Sequence, residues 1–219
     1  MKERTCDRQK PLRGTVTIEF VLVTALLFVP LILGLLSMGF SLSRSLQVAQ
    51  LTRDVGRMFV RGVDFALPSN QDLITGSSSR PNMPPLARGL GMAGNGSPPN
   101  VLGGTEGNGV LILSVLTRVS STCNCANAGM TVVTRRIVIG NRTLENSAFG
   151  TLSASQINSS NGDVINYLGS AAARATNFDA VMNLSAGEFA FVVESAFNFP
   201  DLAVAGFAPN PRVRWRAVF

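Results

Sequence analysis

The sequence contains no histidine, and only two lysines and three cysteines occur in its 219 residues. Without histidine, the chain has no Ser-His-Asp triad, Cys-His dyad or His-ligated metal site of its own. Three cysteines are too few for a disulfide framework or a closed four-cysteine zinc site. Neither a glycine-rich phosphate loop nor a suitable carboxylate pair replaces these groups, so we expect no catalytic residue, no metal and no cofactor.

Charge is also scarce, because charged residues make up 15% of the chain and hydrophobic residues 46%. The mean hydropathy is +0.26. Phe20 to Ser43 is free of charged residues, and as a helix it would span about 36 Å, enough to cross a hydrocarbon core of roughly 30 Å. The net positive residues 1–13 are expected on the cytoplasmic side, and the chain after the helix on the other side.

A single charge, Glu19, interrupts the beginning of this apolar segment and is followed by Phe20. A carboxylate inside a membrane helix is costly, although less so near the interface. If the chain were cut after Gly14, Thr15 would carry a new α-amino group one helical turn away, and the Glu19 carboxylate could neutralise this amino group. The alternatives are an ordinary cleaved signal peptide, an uncleaved anchor, a soluble core helix and a carboxylate without a role.

The basic leader, Gly14, the string Thr15–Phe20 and the long apolar helix together resemble the processing site of type IV pilin-like prepilins. The Glu-Phe pair after Arg13-Gly14 is most similar to the TadE-like pseudopilins of tight-adherence (Flp, type IVc) pilus systems. The resemblance covers residues 8–66 and is loose beyond them. It implies that a prepilin peptidase cuts between Gly14 and Thr15, and that Glu19, with Phe20 beside it, helps subunits enter a fibre.

The resemblance also implies partners and a location. The partners would be the prepilin peptidase, other pilin or pseudopilin subunits, the pilus assembly machinery and the lipid bilayer. The location would be the bacterial inner membrane, with a single span, and the outside of the cell after assembly. The alternative function is an uncleaved, single-pass membrane-anchored extracytoplasmic binding module.

The apolar helix is expected to continue into an amphipathic helix, because apolar residues recur at helical spacing. These residues are Val48, Leu51, Val55, Met58 and Phe59. The sequence thus predicts an α+β chain with a cytoplasmic leader at 1–14 and a transmembrane and amphipathic helix at 15–66. A Pro/Gly/Ser/Asn-rich linker or loop at 67–109 and an extracytoplasmic β-rich domain at 110–219 would follow.

The β-rich domain is predicted to be a small antiparallel sheet. Segments 110–119 and 130–139 are rich in β-branched residues and indicate a hairpin with a long loop. Segment 188–199 and the alternating tail from Arg212 indicate further strands, and 163–175 a short helix. Glu188 and Glu194 would lie about 20 Å apart along one strand, too far for a glycosidase-like pair.

Two features of this domain allow more than one interpretation. Cys123 and Cys125 are candidates for a disulfide within the C-x-C sequence or between molecules, for unpaired thiols, or, with other ligands, for a metal site. Arg212, Arg214 and Arg216 alternate with apolar residues and form either a solvated strand face or a patch for a polyanion. We expect no nucleic acid partner, because basic and exposed aromatic residues are too few.

Overall fold

The computed structural model describes residues 13–76, 84–95, 101–199 and 212–219, and for residues 13–16 it describes the backbone alone. The leader predicted at residues 1–14, including Cys6, therefore lies almost entirely outside the described residues. The division of the chain at residues 14, 66 and 109 stays a prediction.

Helix α1 extends from Arg13 to Val60 as one helix of 48 residues. This confirms that the apolar segment continues directly into the amphipathic one. Within α1, Thr17–Val60 is long and apolar enough to cross a membrane, judged by length and composition. Its large apolar side chains from Ile18 to Leu42 are 38–80% exposed. An apolar surface of this extent needs lipid or partner helices to cover it.

Five strands form one sheet in the order β1–β3–β2–β4–β5. Strand β1 is Leu102–Gly104, β2 is Gly109–Arg118, β3 is Thr131–Asn141, β4 is Phe189–Asn198 and β5 is Arg212–Val218. All pairs are antiparallel except β1 with β3, which is parallel. The α+β class and the predicted β2–β3 hairpin are confirmed, and the short parallel edge strand is the feature that the sequence pattern did not indicate.

The second part of α1 packs on one face of this sheet and supplies much of its core. Val48, Leu51, Val55 and Phe59 are 0–4% exposed and join the buried residues of β2, β3 and β4 in one cluster. Burial of such side chains, at about 25 cal/mol per Å² of apolar surface, is the main force holding helix and sheet together. The apolar face predicted from helical spacing is therefore the face that meets the sheet.

Two specific contacts fix how α1 lies on the sheet. Thr52 Oγ1 lies 2.7 Å from Ser195 Oγ on β4, and both side chains are buried. The Phe59 ring meets the Phe191 ring edge-on, with centroids 5.4 Å apart. Thr52 contacts Ser195, and Phe59, which comes later in α1, contacts Phe191, which comes earlier in β4. Helix α1 and strand β4 therefore run antiparallel. Because β5 is antiparallel to β4, α1 runs parallel to β5.

The segment 67–109 contributes more structure than the expected linker or loop. It forms helix α2, Pro68–Thr75, and strand β1. Ile74, Leu90 and Val101 are 0–3% exposed and belong to the same core cluster as the second part of α1. Their apolar side chains are spaced irregularly among Pro, Gly and Ser, so they produce no periodicity that a sequence pattern could reveal.

The short helix predicted at 163–175 is wrong. Residues in this range form turns, isolated bridges and one 3-10 turn at Ala171–Ala173. Asn166 adopts a left-handed conformation with φ of 55°, which a right-handed helix cannot include. Asp163 and Val164 instead form isolated bridges to Arg135 and Ile157.

We predict that Leu51→Ala destabilises the domain by about 2–5 kcal/mol, because the leucine is 3% exposed and its removal leaves a cavity under the sheet. Leu46→Ala is the matched control, since Leu46 lies on the same helix and is 54% exposed. Denaturant unfolding of the detergent-solubilised full chain, followed by the fluorescence of its single tryptophan, Trp215, measures both changes. Equal effects of the two substitutions would contradict the docked arrangement.

Candidate processing and assembly site

The predicted cleavage site lies at the beginning of helix α1. Gly14 and Thr15 have helical backbone, and Glu19 follows Thr15 by four residues on the same helix. Residues four apart lie on the same helix face, about one turn from each other. An amino group at residue 15 and the Glu19 carboxylate would therefore lie on one side of the helix.

Glu19 and Phe20 are both exposed, and the Phe20 side chain is 71% accessible. No ion pair joins Glu19 to another residue within the described parts of the chain. The carboxylate thus stands alone at the end of a long apolar surface.

Cys123 and Cys125 lie in the loop between β2 and β3, where the structure joins their sulfur atoms in a disulfide. The Asn127 side chain secures this loop, because its amide nitrogen donates to the carbonyls of Tyr167 and Ser170, at 2.7 and 2.8 Å. The loop is at the end of the sheet where β2 ends and β3 begins, far along the domain from the first residues of α1.

The arginines of β5 are paired with carboxylates. Arg212 and Arg214 reach Glu145 Oε2, at 3.0 and 2.7 Å, and Arg216 reaches Glu194 Oε1 at 2.9 Å. The predicted alternation of the strand is confirmed, since Trp215 turns to the opposite side and its indole nitrogen lies 3.4 Å from Ser45 Oγ on α1. The sheet face that carries the three arginines is therefore a partly solvated network of ion pairs, in which the Arg214 and Arg216 side chains are 60% and 42% exposed.

Beneath this network lies Arg136 of β3, which is 5% exposed. Its guanidinium donates to Ser114 Oγ, Ser147 Oγ and the carbonyls of Phe149 and Gly150. Burial lowers the pKa of Arg136 to about 10, and the nearby Glu194 carboxylate opposes this change. The guanidinium therefore keeps its charge at neutral pH and holds the 147–150 loop against the sheet.

Sequence reasoning missed this network, although one signal for it was present. Two arginines in the middle of a strand rich in valine and isoleucine indicate that one of them faces a packed surface. The Glu194 carboxylate lies near Arg136, but the sequence pattern related Glu194 only to Glu188. Glu188 lies just outside β4 and accepts a hydrogen bond from the Ser185 amide at 2.6 Å. The two glutamates do not share a site.

Among the residues that the structure describes, the remaining polar groups of the domain form no recognisable catalytic or metal centre. Within the described residues, no group of three or more His, Cys, Asp or Glu side chains could hold a metal ion. A shallow cleft of about 410 Å³ opens beside β5, but Glu145, Glu194, Arg214 and Arg216 in its walls are engaged with one another.

Comparison with known proteins gives one finding. Residues 14–57 match the family model of the TadE-like protein. Neither the curated proteins nor the solved structures contain a match to the chain. The match begins at Gly14, includes Glu19 and Phe20, and ends in the part of α1 that packs on the sheet. The resemblance seen in the sequence is thus confirmed over residues 14–57, where the chain is similar to TadE-like proteins.

Proposed function

We propose that this protein is a minor pilin or pseudopilin of a tight-adherence (Flp, type IVc) pilus system. A prepilin peptidase cuts it after Gly14, and the mature subunit, beginning at Thr15, contributes to assembly of an adhesive fibre. The observation that carries the proposal is the TadE-like match that begins at Gly14 and runs through the exposed apolar helix. A structural subunit of this kind needs no catalytic group.

The shape of helix α1 supports this proposal. Its first part exposes apolar side chains on all sides, whereas one face of its second part is covered by the sheet. A surface of this kind is stable in a bilayer before assembly and among neighbouring helices in a fibre. The same helix can therefore serve as membrane anchor and as assembly segment, while the sheet domain stays outside the packed helices.

Glu19 has a defined role in this proposal. In a bundle of such helices, its carboxylate neutralises the α-amino group of Thr15, in its own subunit or in a neighbour. Removing one member of a charge pair in an apolar surrounding leaves the other unpaired, which costs about 1–3 kcal/mol or more. Phe20, which follows it and is exposed, adds apolar surface beside the pair.

The proposed location follows from the charges that flank the helix. Residues 1–14 lie in the cytoplasm, the helix crosses the inner membrane once, and the sheet domain lies on the far side. Its partners are the prepilin peptidase, other pilin-like subunits, the assembly machinery and the bilayer. An uncleaved membrane-anchored binding module is the competing function, and it differs in requiring no cut at Gly14.

We predict that Gly14→Leu blocks maturation, because a leucine side chain at the cut position obstructs the peptidase. N-terminal sequencing of the protein from cells that express the pilus genes should find Thr15 first in the natural chain and Met1 in the variant. Gly39→Leu is the control, since a side chain at Gly39 meets no atom within 4 Å. A natural chain that begins at Met1, or beyond Phe40, would contradict the proposal.

We predict that Glu19→Ala leaves membrane insertion and cleavage unchanged but lowers incorporation into sheared fibres by about tenfold, as the loss of a charge pair worth 1–3 kcal/mol implies. Quantitative immunoblotting of fibre and membrane fractions measures both quantities. Glu106→Ala is the control, because Glu106 is an exposed carboxylate of the sheet domain. Undiminished incorporation of the Glu19 variant would remove the role assigned to this carboxylate.

A further inference from the structure

One end of the sheet faces the apolar part of helix α1. At this end β2 and β5 begin and β3 and β4 end, as the pairs Gly109–Phe197 and Asn198–Arg212 show. Arg44 lies at the same end, with its guanidinium carbon 5.7 Å from the centre of the Phe199 ring. Arg44 is also the first charged residue after the apolar run. We call this end of the domain, defined by Arg44, Arg88, Arg142 and Arg212, the basal surface.

Arg44 of α1 connects the helix to the loop at residues 84–95 and to the end of β4. Its Nη1 donates to the carbonyl of Gly89 and to Gln47 Oε1, and its guanidinium faces Phe199. These contacts tie the loop at residues 84–95 to α1 at the level where the apolar run ends. A continuous helix passes through this point, so the distance between the apolar run and the basal surface is fixed by the structure.

The other arginines lie around this point. Arg88 is exposed and lines a shallow pocket with Gln47, Gln50 and Asp54 of α1. Arg142 is exposed and follows the last residue of β3. Arg212 begins β5 and pairs with Glu145.

Most arginines of the basal surface are not engaged in an ion pair with a described residue. The described carboxylates around it include Asp54, Asp72, Glu106 and Glu145, and Glu145 is engaged with Arg212 and Arg214. No described carboxylate forms an ion pair with Arg44, Arg88 or Arg142. At the opposite end of the sheet, by contrast, Arg118 reaches Asp179 and Arg135 reaches Asp64. Arg57 and Arg61 on α1 are also exposed and without an ion pair among the described residues, but they lie about 20 Å or more along the helix from Arg44, away from the end of the apolar run.

We propose that the basal surface binds the phosphate groups of anionic phospholipids. An apolar run that ends at Arg44 places this surface at the level of the headgroups once the helix crosses the bilayer. Guanidinium groups bind phosphate oxygens through paired hydrogen bonds, and anionic headgroups attract arginines near the membrane surface. The inference rests on the proposed membrane insertion and goes further by assigning a lipid class and residues to the outer domain.

This binding would orient the subunit before assembly. Arg88 and Arg142 emerge from different elements, a loop packed on α1 and the end of β3. Phosphate contacts at both positions would hold the domain upright on the membrane instead of letting it tilt about α1. A subunit leaving the bilayer for a fibre would have to give up these contacts.

The single tryptophan is a suitable reporter, because its indole nitrogen lies 3.4 Å from Ser45 Oγ, next to Arg44. The full chain is reconstituted into vesicles of about 70% phosphatidylcholine and 30% phosphatidylglycerol, with one lipid brominated at a time. Quenching of Trp215 then measures which lipid lies beside the basal surface. Brominated phosphatidylglycerol is expected to be enriched there about threefold over its share of the bilayer, as attraction on the order of 1 kcal/mol per arginine implies.

The test variant is Arg88→Gln with Arg142→Gln, which leaves the contacts of Arg44 in place. The control is Arg57→Gln with Arg61→Gln, exposed arginines that lie about 20 Å or more along the helix from Arg44. Enrichment should vanish in the test variant and persist in the control. Both variants should be quenched equally by brominated phosphatidylcholine.

The outcomes separate the two proposals. Quenching that matches the bulk composition in the natural chain, or enrichment that survives in the test variant, would overturn lipid recognition while leaving insertion intact. Equal loss of enrichment in the control would also overturn it, because general charge would then explain the effect. Absence of quenching by either lipid would contradict membrane insertion itself, and the proposed function with it.

Discussion

The structure depends on the burial of one face of helix α1 against the sheet. Val48, Leu51, Val55 and Phe59 fill the space between helix and strands, and the Thr52–Ser195 hydrogen bond fixes their alignment. Without this helix the inner face of the sheet would expose a contiguous apolar surface to water. The domain therefore cannot be separated cleanly from its anchor, because the anchor's continuation is part of its core.

This constraint connects the N-terminal site to the domain. Glu19 and Val48 lie on the same unbroken helix, about 44 Å apart at 1.5 Å per residue. Arg44, between them, is held by Gly89 and Phe199, so the junction is packed from the side as well. A helix that enters a bundle through its first part would thus carry the sheet domain at a defined height and orientation.

The sequence predicted the features that depend on local residue patterns. It did not predict features that depend on contacts between residues far apart in the chain. The helix, its buried face and the main strands carry their own periodicity, so they could be recognised residue by residue. The packing of Ile74, Leu90 and Val101 has no period, and Arg136 meets Glu194 and Ser147 only through the fold. The segment 163–175 shows the opposite failure. Its composition favours a helix, but Asn166 adopts a left-handed conformation that a right-handed helix cannot include. The roles proposed for Gly14, Thr15 and Glu19 come from the resemblance alone, because such roles involve other molecules.

The central claim is that the anchor and the core of the domain are one rigid helix, which amide hydrogen exchange of the full chain in lipid bilayers tests directly. The account predicts that amides of residues 44–52 exchange as slowly as those of the central strand β2, since both belong to one packed unit. Exchange of residues 41–47 within seconds, between protected segments on either side, would reveal a hinge at the junction and contradict it.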